Sequence, residues 1–568
     1  MADDKKSLSR RRLLRFSAAA GVTAILGEPV SFAGTQQSGP RTPVPAAAEE
    51  LVFMNGKIHT MDRNNTVVQT VSIKNGRFST VGGAVPRKGP GIRIIDLRGR
   101  TVVPGIIDNH NHVVLMGNRP GYHTPLENAY SIREVQEIVA ARAKGIPSGA
   151  WITTIGGFHR NHLFRPDQTP RLPTLAELDE AAPNNPVYIS EGFAGPSTTN
   201  SLGKKFFESQ TPVLRQTLLT FEQRRRRALD ALGHGLSLGV TTHLDQGAFQ
   251  PSNTPSDGAA HEDNYTMHLP FLALHQEGKL PARLRINFLH QDTTADLPTL
   301  TERLKNSYKF FGDDVVRTGG IGEFIGGGTG ANNNIFVEAA KRIARAGWRA
   351  EVHSLSATDF QQEIQNYEAA HAEFPITDLR WVIAHVPFIT EPWVNRLKAM
   401  GGGLSLTSWR YLAGTPEQNG PPFRMIVDNG IHIGMSSDGM QIAPMNPWLH
   451  MYYATTGLNA RQVLINRDQQ ISRHEVLKLY TANNGWFMRE EDQIGTIEPG
   501  KLADLAVLSD DYFTVPDEML KKIRSALTVV DGKVVHNAGL LRLNTREHQY
   551  WARAAARANH AGHGGPRR

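Results

Sequence analysis

No cysteine occurs anywhere in the 568 residues. Disulfides, thiolate nucleophiles, cysteine-bound zinc and iron–sulfur clusters are excluded together, and a metal would have to be held by His, Asp, Glu or a modified Lys. A long hydrophobic run is also lacking: the uncharged stretch Phe16–Gly27 falls short of the roughly 20 residues that a membrane-spanning helix needs, so no stable membrane anchor is expected. The body of the chain has no excess of one charge either. The formal net charge is +8, but residues 1–33 supply +3 of it and residues 546–568 supply +4, leaving +1 for everything between. Nucleic acid is therefore not an expected partner. With 40% hydrophobic and 20% charged residues, the chain can bury a large core. A disordered or miniature fold is excluded, and at about 150 residues per domain the length allows three or four domains.

The start of the chain reads Ser9-Arg10-Arg11-Arg12-Leu13-Leu14-Arg15, then the short apolar run, then Ser31-Phe32-Ala33 before Gly34. A charged start, a short apolar centre and small residues at a cleavage point describe a signal peptide. The paired arginines resemble the twin-arginine export signal. That implies passage through the twin-arginine export machinery after folding, with the mature protein periplasmic or secreted. A basic amphipathic helix is the alternative reading.

Residues 34–48 read as a linker, rich in Gly, Pro, Thr and Ala. From Leu51 short β-like runs follow, with Asn75-Gly76 as a two-residue hairpin turn, and the same texture returns at Ala503–Leu508, Ala526–Val530, the Asp531-Gly532 turn and Lys533–His536. These two segments have the character of halves of one small sheet domain. Between them, apolar runs of strand length at Trp151–Ile155, Pro186–Ser190, Val240–Leu244, Leu284–His290, Arg349–His353, Arg380–Ala384, Gly403–Leu406 and Ile431–Met435 alternate with helical patterns. Helices are expected at Leu175–Ala181, Arg224–Leu238, Ile335–Ala346 and Ser472–Phe487, the last opening on the capping box Ser472-Arg473-His474-Glu475. Repeated strand–helix units point to a (β/α) barrel. The tail from Arg546 is expected to fray.

The chemistry concentrates in Val102-Val103-Pro104-Gly105-Ile106-Ile107-Asp108-Asn109-His110-Asn111-His112. An apolar strand ending in His-x-His sets both imidazoles on one side, because strand side chains alternate, and two neutral imidazoles so held form a metal clamp. His353, His385 and Asp438 each close a further apolar run. In a barrel the C-terminal strand ends share one mouth, so these residues would converge. His159, His162, His243 and Asp245 stand at or just after strand ends, and Trp409, Arg410 and Tyr411 follow the Gly403–Leu406 run, so several of these are candidates for substrate contact. Gly326-Gly327-Gly328-Thr329-Gly330 lacks the Lys-Ser/Thr of a phosphate loop and reads as a flexible loop.

This ordered set resembles the amidohydrolase superfamily, in particular the amidohydrolase-3 or YtcJ-like branch that includes N-substituted formamide deformylase. Gly495-Thr496-Ile497-Glu498-Pro499-Gly500-Lys501-Leu502-Ala503-Asp504 and Val529-Val530-Asp531-Gly532 resemble the superfamily's return from barrel to β-sandwich. The resemblance implies an α/β protein: a metal-dependent (β/α)8 TIM barrel at 104–489, with a β-sandwich from 49–103 and 490–545. It implies one or two divalent ions, zinc foremost, with His110 and His112 on one metal, His353 and His385 on the second, and Asp438 as ligand and general base. The implied reaction is hydrolysis of a C–N bond in an amide, N-substituted formamide or cyclic amide. The substrate is a small molecule, and homo-oligomerisation is left open.

Two departures from the branch matter. Its bridging lysine, normally carboxylated, is missing from Val316-Arg317-Thr318-Gly319-Gly320-Ile321-Gly322-Glu323-Phe324. Glu323 supplies a carboxylate there and is expected to take the lysine's place as a metal ligand. After Val187-Tyr188-Ile189-Ser190 the branch's histidine is gone while Asn200-Ser201 persists, so Asn200 joins His159, His243, Trp409 and Arg410 as candidate substrate contacts. Three alternatives remain at this level: a deaminase, an ester or phosphotriester hydrolase on the same site, and an inactive binding protein. The first carboxylate after His353 is Asp359, later than a deaminase's glutamate would stand. The inactive reading turns on whether Glu323 reaches the histidines.

Overall fold

The computed structural model describes residues 50–86, 89–192, 195–209, 220–247, 267–327, 334–439 and 443–541. The expected signal peptide (1–33), linker (34–48) and basic tail (546–568) lie outside the described residues. Among the described residues no helix is long and apolar enough to cross a membrane.

Eight parallel strands carry the site: β1 (Ile106–Asn111), β2 (Val240–Asp245), β3 (Arg283–His290), β4 (Val316–Ile325), β5 (Glu351–Ser354), β6 (Val382–His385), β7 (Gly403–Thr407) and β8 (His432–Ser436). β1 to β4 pair in chain order, and so do β5 to β8. The two sets meet on both sides. Ile321 N of β4 donates to Arg349 O just before β5 (2.9 Å), and past β8 the Asp438 amide donates to His110 O of β1 (2.9 Å).

Parallel neighbours require crossover connections, and helices supply them. The helix Asn334–Arg345, between β4 and β5, buries Phe336, Ala339, Ala340, Ile343 and Ala344, the stripe that a 3.6-residue period turns to one side. Its successor Ala357–Glu373 starts at a Ser356–Asp359 capping box, and its Phe360, Ile364 and Tyr367 join that stripe and Ile383, Leu404 and Met435 of the strands in one core. Burying each such large apolar side chain contributes about 1.5–3 kcal/mol.

Two of the expected strands belong elsewhere. Ile152–Ile155 and Val187–Ser190 pair with each other in a separate four-stranded sheet with Tyr122–His123 and Ser197–Thr199, while the eight-strand set takes Ile106–Asn111 and Val316–Ile325. Short, fully buried strands look alike in sequence, and glycines disguise β4. Those glycines admit β5: a Cβ at Gly320 would lie 2.7 Å from Arg349 O, and one at Gly322 2.1 Å from Glu351 O. The helix expected over Ser472–Phe487 keeps its capping box but breaks into Arg473–Leu479 and the short turns Ala482–Asn484 and Gly485–Met488. Asn484 accounts for the break, since its amide donates to Ile107 O (2.5 Å) and Met435 O (2.8 Å) and accepts from Asn109 (2.9 Å). The chain bends to satisfy backbone groups of β1 and β8.

The two ends of the described chain share a sheet. Lys533–Asn537, Ser525–Val530, Leu505–Leu508, Thr101–Pro104, Lys57–His59 and Val67–Val68 lie side by side, with Ala506 opposite Val103. A four-stranded sheet containing Glu50–Met54 adjoins the same apolar cluster, which Phe53, Ile58, Val102, Leu505 and Leu527 share. Both expected hairpin turns form, with positive φ at Asn75 and Gly76 (52° and 73°) and at Asp531 and Gly532 (54° and 69°).

Buried ion pairs lock this C-terminal segment to β3. Arg283 grips Asp504 through two bonds of 2.7 and 2.9 Å, and Arg285 grips Glu490 at 2.7 and 3.1 Å. Arg283→Met strands the Asp504 carboxylate and is expected to lower unfolding free energy by about 3–5 kcal/mol, with most of the loss recovered in Arg283→Met/Asp504→Leu. Urea denaturation of both variants checks it; equal losses would refute it.

Candidate active site

Each candidate ligand sits where a parallel strand ends. His110 is the penultimate residue of β1 and His112 follows it, Glu323 lies near the end of β4, His353 and His385 near or at the ends of β5 and β6, and Asp438 two residues past β8. Their side chains converge. Glu323 Oε2 is 3.2 Å from His110 Nε2, 3.5 Å from His385 Nε2 and 3.0 Å from His353 Nδ1, and Glu323 Oε1 is 3.2 Å from His112 Nε2. Asp438 Oδ1 lies 3.2 Å from His112 Nε2 and 3.8 Å from His110 Nε2. His385 and Asp438 hold left-handed backbone angles (φ 72° and 54°), a conformation non-glycine residues adopt where the surroundings enforce it.

The outer atom of three of the four imidazoles is occupied. His110 Nδ1 is 2.6 Å from Glu351 Oε1, His112 Nδ1 2.6 Å from Gly247 O, and His385 Nδ1 3.0 Å from Thr407 Oγ1. With those contacts fixing the rings, the inner nitrogens of His110 and His385 and Oε1 of Glu323 are buried without a well-directed hydrogen bond. Two sets, His110–Glu323–His385 and His110–His112–Asp438, present donor atoms within 4.8 Å of one another. Imidazole nitrogens backed by an outer partner, facing buried carboxylate oxygens, are the donors a divalent cation takes, so these residues fit such an ion.

Without a cation, the imidazoles and carboxylates balance one another's charge. Burial alone would keep His110 neutral, but Glu323 and Glu351 overcome it and push its pKa up to about 10; Glu323 and Asp438 likewise raise His112. Burial would raise the two carboxylates, yet His353 and His112 hold Glu323 well below the usual range and His385 and His112 lower Asp438. Anionic charge is thus stabilised at the centre of the cluster.

The remaining candidates stand apart from it. Asn200 spends its whole amide on backbone: Oδ1 accepts from Val187 N (2.9 Å) and Gly203 N (3.0 Å), and Nδ2 donates to Asn185 O (2.8 Å) and Ala182 O (3.1 Å). This corrects the expected substrate contact, because no polar atom is left for a ligand. His243 is buried with Nδ1 2.9 Å from Asn111 Nδ2, and its ring lies against Gly235 of the helix Phe221–Ser237, turned to the helix layer rather than to Glu323. His159 is half-buried and accepts from Asn161 N (3.0 Å). Arg410 stacks on Trp409 (4.1 Å) and on Phe388 (5.2 Å), a cation–aromatic cluster past the ends of β6 and β7.

Sequence reasoning missed Glu351. The signal was available: Arg349, Glu351 and His353 alternate along a buried strand, where charge is rare unless paired. Arg349 Nη2 meets Glu351 Oε2 at 2.5 Å, leaving Oε1 for His110. It also missed Asp108, which accepts from Ser437 N at 2.9 Å and so supports the residue before Asp438.

An α/β fold with imidazoles and carboxylates gathered at the ends of parallel strands defines a metal-dependent hydrolase. The chain belongs to the amidohydrolase family, whose model matches residues 93–536, and so to the hydrolases of carbon–nitrogen bonds. It is 24% identical to the N-substituted formamide deformylase of Arthrobacter pascens over 85% of this chain and 97% of that protein. It is 21% identical to the putative amidohydrolase YtcJ of Bacillus subtilis, covering 85% of this chain and 99% of the relative. Among solved structures, atrazine chlorohydrolase from Arthrobacter aurescens, complexed with zinc, aligns over 89% of this chain and 99% of its own with a TM-score of 0.55 at 16% identity.

Because Glu351 orients His110, Glu351→Gln is expected to weaken divalent-metal affinity about 10–100-fold with little change in far-UV circular dichroism. Chelator competition on the purified variant measures it; unchanged affinity would remove Glu351 from the site.

Proposed function

We propose that the chain hydrolyses the C–N bond of an amide, N-substituted formamide or cyclic amide, with zinc as its divalent ion. The observation that carries this reading is the position of Glu323, within 3.0–3.5 Å of nitrogens of all four histidines. A carboxylate delivered there by the chain itself stands where the branch's modified lysine would, which favours a working site over an inactive binding protein. His110, His112, Glu323, His353, His385 and Asp438 would hold the metal. When bound, a divalent ion polarises a carbonyl and acidifies water.

The chain's own residues do the rest. Asp438, buried beside His112 and His385, takes a proton from water as the carbonyl carbon is attacked and returns it to the departing nitrogen. Glu351, Gly247 O and Thr407 keep the imidazoles aimed throughout. A deaminase is disfavoured by Asp359, whose carboxylate accepts from Ser356 N (3.0 Å) and Leu355 N (3.3 Å) as a helix cap. In this reading β1–β8 form a (β/α)8 barrel over 104–489, the sheets shared by 49–103 and 490–545 form the β-sandwich, and a twin-arginine signal carries the folded protein out of the cytoplasm.

Elemental analysis of protein purified without chelator is expected to find zinc in the parent and to lose at least half of it in Glu323→Ala. Full retention would make Glu323 a bystander. Against a panel of N-substituted formamides and cyclic amides, Asp438→Asn is expected to lower kcat about 10²–10⁴-fold while keeping KM within a small factor. Amide turnover that survives this substitution would overturn the proton-transfer role.

A further inference from the structure

A cavity of about 220 Å³ shares no residue with the imidazole–carboxylate cluster. Aromatic rings of Tyr130, Phe164 and Tyr411 wall it, and His162, Glu518 and Lys521 supply its polar groups. These come from segments far apart in the chain, and the Tyr130 hydroxyl joins two of them by donating to Lys521 O (2.7 Å). The cavity is thus a product of the tertiary fold.

His162 is 3% exposed, and neither of its ring nitrogens has a hydrogen-bond partner. Buried polar groups are rarely left so. Burial keeps the ring neutral, with its pKa pushed down to about 3, so it offers one N–H donor and one lone pair. Lys521 is 8% exposed; its ammonium pairs with Glu518 Oε2 at 2.6 Å and sits 4.6 Å above the Tyr452 ring. The other Glu518 oxygen accepts the Tyr452 hydroxyl. Lys522 adds a second ammonium, 6.0 Å from the Tyr130 ring. Of the residues that line the cavity, two carry ammonium groups, Lys521 and Lys522, and one a carboxylate, Glu518, in an aromatic pocket that has room for a single ring.

We propose that this cavity binds compact aromatic monocarboxylates, the ring lying among Tyr130, Phe164 and Tyr411 and the carboxylate accepting from His162 and facing the two lysines. The proposal is independent of the reaction assigned above. It is tested by calorimetric titration of the full chain with benzoate, and with benzylamine as the cationic counterpart. Benzoate is expected to bind about tenfold or more tightly than benzylamine, the scale of one charge-assisted contact. Lys521→Met and His162→Phe are each expected to weaken benzoate about tenfold, and Lys522→Met, at an exposed position, about threefold. Asp438→Asn is expected to leave benzoate affinity unchanged, which separates this cavity from the metal cluster. Failure of benzoate to bind, equal binding of benzylamine, or loss of benzoate in Asp438→Asn with retention in Lys522→Met would each overturn the proposal.

Discussion

A carboxylate buried to 2% exposure among four imidazoles is the constraint around which this protein is arranged. An isolated charge so deep would be prohibitively costly, and Glu323 is tolerated because strands β1, β5 and β6 deliver histidines to it and the turn past β8 brings Asp438 to the same nitrogens. The demand reaches into the backbone. β4 must lie close against β5 to bring Glu323 within reach of His353, and the glycines at 320 and 322 are what allow that approach.

A second layer keeps the first from collapsing onto itself. Arg349 anchors Glu351, which holds His110; Asp245 accepts from Gly247 N at 3.0 Å, and the Gly247 carbonyl holds His112. Asp245 is itself fixed by His268 at 2.7 Å and by Val114 N at 2.9 Å. Each outer partner orients an inner donor without competing for it, so the ring nitrogens and carboxylate oxygens can face one another. The same economy appears at Asn484, which closes the chain beneath β1 and β8 with its one amide.

Much of this was legible. The His-x-His after an apolar run, His353 and His385 closing strands, and Asp438 beyond another are local patterns with a two-residue or strand-end logic, and they converge as that logic requires. Hairpin turns at Asn75-Gly76 and Asp531-Gly532, and the capping box at Ser472, were readable because each is settled by residues adjacent in sequence. The strand at Val316–Ile325 was hidden because three glycines lower its β character, although the neighbouring strand needs them. Asn200 misled for the opposite reason: a polar residue at a loop start reads the same whether its amide meets a ligand or, as here, four backbone groups.

The sequence by itself determined the donor types, the absence of thiolate ligands and the order in which the ligands arise, because these follow from composition and from patterns a few residues long. Only the tertiary structure decided that Glu323 stands at the centre, that Glu351 rather than a loop residue orients His110, and that residues 151–155 and 186–190 form a sheet of their own. Those outcomes depend on distances between strands separated by tens to hundreds of residues. Such distances are fixed by packing, and no local pattern encodes them.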